Sequence, residues 1–221
     1  AVESRPKGEA GAAMMRPDEK GQSVVMHRYY VEEFLARGFH VAGIDVAITC
    51  GSPKGVDVYQ EFYRTLVRKH KMNPRTRFLA QSSGGLTAYA WAWRHPHAVD
   101  RIMGIFPATD MRSWPGLDKV CGTGRITHTR LGFIMTPEKL HEHLQEFNPI
   151  ENLKPLADAG VRILHIHGDS DAGIPIKENS IELLQRYRKL GGDMGLETLV
   201  GHGHGGNIFY TSDKTVRFLV E

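Results

Sequence analysis

The chain reads as an α/β protein: a mostly parallel β-sheet with helices on both faces. Three observations lead there. Short apolar runs of strand length alternate with stretches whose apolar residues recur at helical spacing. The length, 221 residues, suits one domain with a sizeable core. The run 77–93, RFLAQSSGGLTAYAWAW, passes from strand to helix through two serines and two glycines.

The elements follow in order. Residues 1–21 are polar, rich in Gly, Pro and charge, and predict an arm or loop. Residues 23–26 (SVVM) predict a short strand. Val31, Phe34 and Leu35 predict a helix that Gly38 ends. Residues 39–46 (FHVAGIDV) predict a buried strand, followed by a loop with Gly51, Pro53 and Gly55. Tyr59, Phe62, Tyr63, Leu66 and Val67 give an amphipathic helix ending near His70. After the run 77–93, Ile102 to Phe106 predict a strand closed by Pro107. Thr136 with Pro137, and Asn148 with Pro149 and Glu151, predict two helix starts. Val161 to His167 predict a strand, and Ile181, Leu184, Tyr187 and Leu190 a helix face that Gly191 ends. Leu196 to Val200 predict the last strand. Residues 211–221 predict a final helix with Val216 and Leu219 inward. With no repeats and no linkers, residues 1–221 form one domain, and 111–147 are expected as a cap-like insertion over the site.

Composition narrows the class. Hydrophobic residues at 41% and charged residues at 24% fit a soluble globular chain. A net charge of +3, with scattered basic residues, gives no reason to expect a nucleic-acid partner. No apolar run has the length of a membrane span. Cys50 and Cys121 are too few for a disulfide framework, whether paired or free. No signal-peptide pattern is present, and the sequence leaves open whether the location is secreted, periplasmic or other.

The chemistry is expected in loops after strands, where ligands bind in such sheets. A strand turning sharply into a helix through Ser and Gly suits a nucleophile, whose neighbours two residues either side must be small. Ser82 has Ala80 and Gly84 there; Ser83 would have Gln81. Ser82 is the candidate nucleophile, and the Ser83 amide a candidate oxyanion donor. Two more loops carry an acid and a base: Gly168-Asp169-Ser170-Asp171 and Gly201-His202-Gly203-His204. Ser82, Asp171 and His204 fall in the order nucleophile, acid, histidine. The histidine takes the serine proton, and the carboxylate holds the imidazolium.

HGDSDAGIP resembles the H-G-x-x-D-x-x-V-P acid loop of α/β-hydrolases, and GHGHGG their G-x-G-H loop. GFHVAGIDV, GSPKGVDVYQEFY, SSGGLTAYAWA, SWPGL, NPIENLKPLADAGV and RYRKLGGDM together resemble a bacterial group of prolyl-oligopeptidase-like or esterase-like α/β-hydrolases, over about residues 31–208. The resemblance implies an α/β-hydrolase fold shortened at its N-terminal edge, with about six strands. It implies Asp171 rather than Asp169 as acid, and His204 rather than His202 as base. The second oxyanion donor is expected between His27 and Tyr30, with Arg28 named for it. Ala80 stands where the group usually has Gly, and Ser83 where it often has Arg.

These readings predict a serine esterase that cleaves carboxylic esters through an acyl-enzyme, with no cofactor and no metal. The expected substrate is a small-molecule or polysaccharide-linked ester, with Tyr30 and Trp114 as candidate contacts. Asp110 is a weaker candidate acid, more simply a cap or turn residue. His165 is expected as a satisfied core histidine. An unpaired edge strand would be covered by residues 1–21 or by a second copy of the chain. Two alternatives compete. His165, His167, Asp169, Asp171, His202 and His204 could form a metal site for a metal-dependent hydrolase. A hydrolase-like binding protein with weak activity is the other.

Overall fold

The computed structural model describes residues 26–44, 46, 49–121 and 132–221. Most of the expected strand 23–26 and all of the polar arm lie outside them.

The apolar runs become four parallel strands: β1 (Thr76–Gln81), β2 (Val99–Ile105), β3 (Arg162–Gly168) and β4 (Met194–Leu199). They pair in sequence order, β1-β2-β3-β4. Successive side chains on a strand point to opposite faces, so each strand feeds two cores. Phe78, Ala80, Ile102, Ile163 and Met194 meet one face. Met103, Ile105, Leu164 and Ile166 meet the other.

Helices cover both faces. Before the sheet come α1 (Arg28–Ala36) and α2 (Pro53–Arg68), and α3 (Gly84–Ala92) links β1 to β2. Among the described residues between β2 and β3 lie four short α-helices: α4 (Leu117–Val120), α5 (Pro137–Glu142), α6 (Leu144–Phe147) and α7 (Lys154–Asp158). Then α8 (Glu182–Lys189) joins β3 to β4, and α9 (Asp213–Val220) follows. α2, α3 and α8 pack on the first face through Val56, Trp91 and Tyr187. α1 and α9 pack on the second through Tyr30, Phe34, Val216 and Leu219. Consecutive crossovers in one direction put their helices on one face, so among the described residues the second face is covered by helices from the two ends of the chain.

The helix boundaries have local causes. α2 begins with Ser52 accepting from the Gly55 amide and with Pro53 first in the helix. Thr136 caps α5, accepting from Lys139 N at 3.3 Å. Ser212 caps α9, accepting from Thr215 N at 3.3 Å. Arg77 and Arg101 then hold the carboxyl end of α9, donating to Leu219 O at 2.6 Å and Phe218 O at 2.7 Å.

Four expectations change. Residues 39–44 carry no strand ladder, although Phe39 and Val41 pack on the second core. A strand needs a partner for its backbone groups, and β1, the edge of the described sheet, does not pair with this segment. The strand count among the described residues is four rather than about six. Asn148 does not cap a helix. Its side chain instead accepts from Met111 N at 3.0 Å and donates to Asp110 at 2.8 Å, and only a 3₁₀ turn, Pro149–Glu151, follows. Leu190 is exposed, and Leu183 takes the core place on α8.

Candidate active site

At the end of β1 the chain turns through Ser82 with φ +49°, a left-handed conformation costly for a residue with a side chain. Backbone bonds hold it there. Ser82 N donates to Ile105 O at 3.1 Å, and Ser82 O accepts from Gly85 N and Ala108 N, both at 2.9 Å. Ala80 is buried as expected, but the steric limit on the far side falls on Gly85, where a Cβ would collide with Ala108 O, rather than on Gly84, where a Cβ would meet open space. This strained turn lifts the Ser82 side chain out of the sheet end toward the two loops that follow β3 and β4.

Those loops meet it. Ser82 Oγ lies 2.8 Å from His204 Nε2, and His204 Nδ1 lies 2.7 Å from Asp171 Oδ2. The Asp171 side chain is fully buried, and its Oδ1 accepts from Gly173 N and Ile174 N, both at 2.8 Å. Asp169 is exposed and serves as a tie instead, accepting from Gly201 N at 2.7 Å. His202 turns its ring edge to Phe209, while its carbonyl accepts from Ser170 N at 3.0 Å. Phe106, at the end of β2, sets its ring 4.4 Å from that of His204.

Behind the acid lies a buried polar cluster. His167 Nε2 is 2.9 Å from Ile174 O and 3.2 Å from Asp171 Oδ2, and its Nδ1 is 2.8 Å from Ser180 Oγ. His165 Nδ1 is 2.8 Å from the same Ser180 Oγ, and its Nε2 is 2.7 Å from Tyr89 Oη. Burial drives the pKa of His165 down to about 3, with His167 adding to it. Burial also lowers that of His167, outweighing Ile174 O and Asp171. Both rings are therefore neutral near pH 7.

The remaining expected residues fall as follows. Ser83 precedes the first turn of α3, and its amide has no acceptor among the described residues. Arg28 opens α1 with its guanidinium turned to Glu32 on the surface, so only its backbone could serve an oxyanion. The residue of that loop that reaches the elbow is His27, with Nε2 at 2.8 Å from Gln81 Oε1. Tyr30 is a correction: it is fully buried and donates to Phe209 O at 2.8 Å, which leaves no face for a substrate. Trp114 is partly buried against a cluster that includes Leu86, Met111 and Ile174. Asp110 is held by Arg112 and Asn148. Cys50 and Cys121 are free and buried. Burial, with Cys121 nearby, raises the Cys50 thiol to about 12, and burial also raises that of Cys121, so both stay protonated. The metal cluster does not form: among the described residues no three His, Cys, Asp or Glu side chains gather to hold an ion.

Sequence reasoning missed Gln81 as a contributor. Its Nε2 donates to Tyr210 Oη at 2.7 Å while its Oε1 meets His27, so it joins the elbow to two distant segments. Only its place beside Ser82 pointed to it. His167 was singled out only as a metal ligand, and Phe106 only as a strand end.

A sequence model of the prolyl oligopeptidase family matches residues 56–221. No curated protein gives a match. Among solved structures, a puromycin-hydrolysing peptidase of Mycobacterium tuberculosis is 18% identical with TM-score 0.58, over 79% of this chain and 25% of that one. Porphyromonas gingivalis dipeptidyl peptidase 4 is 14% identical with TM-score 0.59, over 79% and 23%. A truncated carbohydrate esterase from gut microbiota is 20% identical with TM-score 0.54, over 75% and 66%. The chain thus spans about a quarter of the first of these. All three likenesses are of fold, and the fold is that of the α/β-hydrolases.

Proposed function

The chain belongs to the prolyl oligopeptidase family of serine hydrolases, and from that premise we propose that it cleaves carboxylic esters with Ser82, His204 and Asp171. One observation carries the reading: the unbroken contact from Ser82 Oγ through His204 to Asp171, at 2.8 and 2.7 Å. In the first step Ser82 Oγ attacks the ester carbonyl while His204 Nε2 takes its proton. Asp171 holds the imidazolium through Nδ1 and, fixed by two amides, cannot swing away. The Ser83 amide faces the developing oxyanion, with a second donor from His27 or Arg28. His204 then returns the proton to the leaving alkoxide. Water repeats the sequence on the acyl-enzyme, and Ser82 is restored.

The ester reading draws support from charges near the nucleophile. Ala108 hydrogen-bonds Ser82 O, and just beyond it Asp110, Arg112, Glu151 and Arg186 pair with one another. Those four charges are committed to one another rather than offered to a peptide terminus. Trp114, only partly buried on the apolar cluster of Leu86 and Met111, remains the candidate contact for an acyl or sugar face, and residues 111–147 would form a cap beside it. The likeness to a carbohydrate esterase fits a polysaccharide-linked acyl group. Peptide cleavage is the second reading, favoured by the family match.

A panel of p-nitrophenyl esters of increasing acyl length, run beside a peptide substrate, separates the two. Esters should turn over and the peptide should not. A fluorophosphonate should label wild type and Ser83→Ala but not Ser82→Ala. An adduct on Ser83 would remove Ser82 from the role. Inhibition by o-phenanthroline that added zinc reverses would count against any serine mechanism.

A further inference from the structure

The buried cluster behind Asp171 is more than a satisfied core. Ile174 O can only accept, and His167 Nε2 faces it together with a carboxylate oxygen. Nε2 must therefore carry the proton. His167 Nδ1 is then an acceptor, so the Ser180 hydroxyl donates to it. With its one proton placed, Ser180 Oγ must accept from His165 Nδ1–H. His165 Nε2 is left as an acceptor, and Tyr89 supplies the donor. Each proton has one possible position, and every link runs toward the acid. Side chains on β3, on the wide turn Lys177–Ile181 and on α3 make the chain, and all are buried. Gly104, opposite His165 on β2, leaves room for its ring, since a Cβ would stand 2.5 Å from Cδ2.

We propose that His167 is a positioning residue for Asp171, held in its Nε2–H form by a one-way hydrogen-bond chain through Ser180 and His165 to Tyr89 on the helix that follows the nucleophile. The proposal rests on the reading of Asp171 as the acid of a serine hydrolase. The other tautomer would put a ring lone pair against Ile174 O and Asp171 Oδ2. That repulsion would open the 171–174 turn and draw the carboxylate off His204. The chain thus ties the acid loop to α3, which begins directly after the elbow, so nucleophile and acid are referenced to the same helix.

The deciding measurement is the two-bond ¹H–¹⁵N spectrum of protein labelled with ¹⁵N-histidine at neutral pH. His167 should be protonated at Nε2 and His165 at Nδ1, each as a single tautomer. A His167 protonated at Nδ1, or exchanging between forms, would overturn the proposal whether or not the protein turns over any ester. The second arm is the rate of fluorophosphonate labelling of Ser82. His167→Leu loses a hydrogen bond to a charged group and should label about ten- to a hundredfold more slowly. His167→Gln places an amide N–H where Nε2–H stood and should recover most of the rate. Wild-type labelling by His167→Leu would overturn the proposal, and so would equal loss in both variants. A wild type that the reagent never labels would instead overturn the hydrolase reading, while the spectrum still decides the tautomers.

Discussion

Gly168 lets the acid strand and the histidine loop cross. A Cβ there would run into the His202 carbonyl, which is backbone and cannot turn aside. Gly168→Ala should therefore push the loop that carries His204, lowering kcat at least tenfold with a clear loss of Tm. An unchanged kcat would mean that the loop has another way to close. The two histidines of that loop should differ sharply. His204→Ala removes the group on Ser82 Oγ and should cost several orders of magnitude in kcat. His202→Ala removes only a ring-edge contact and should keep most activity. Equal losses would show that the base has been assigned to the wrong ring. Sequence distinguished these two only through the resemblance of GHGHGG to the G-x-G-H loop; the structure adds the hydrogen bonds.

At the scale of the element, β3 carries a pH liability. His165 points from it into the buried core, where burial lowers its pKa from 6.5 to about 3. The unfolded chain then binds a proton that the fold refuses. Stability from this group is full above pH 6.5 and is lost as pH falls toward 3. His167 is lowered in the same direction. Urea titrations at successive pH values should show wild type weakening on acidification. His165→Gln should be less stable at pH 7 yet have a flatter slope, by up to about 1.4 kcal/mol per pH unit. An unaltered slope would show that His165 is not the group responsible. The cap of α9 gives a simpler case. Ser212→Ala should cost about 1 kcal/mol in the same titrations, since the Thr215 amide loses its acceptor.

For the whole molecule, the outer edges of β1 and β4 carry no strand partner among the described residues. Beside β1 lies a cavity of about 650 Å³, lined by Phe39, Val41, Tyr59, Phe78 and Leu79 among others. An unpaired edge next to apolar side chains is a template for further pairing. Removing residues 1–25 should therefore promote self-association, read by light scattering as a concentration-dependent rise in mass. A truncated chain that keeps the dispersity of the full one would show that those residues do not guard the edge.

The sequence by itself determined the α/β alternation, the two-faced strands, the turn at Ser82 and the chain order of Ser82, Asp171 and His204. These are readable because they rest on local causes: period-two and helical apolar spacing, small residues at a tight turn, and glycines around each loop. The tertiary structure decided what depends on partners distant in the chain. Residues 39–44 have strand composition, yet a ladder requires a neighbour, and composition does not supply one. Tyr30 could face a substrate or a core, and only the position of Phe209 O chose the core. Asn148 has the character of a cap, but Asp110 and the Met111 amide claimed its side chain. The link from Asp171 to Tyr89 was invisible for the same reason: it runs through residues from three separate elements, and direction along such a chain exists only once every donor and acceptor has met its partner.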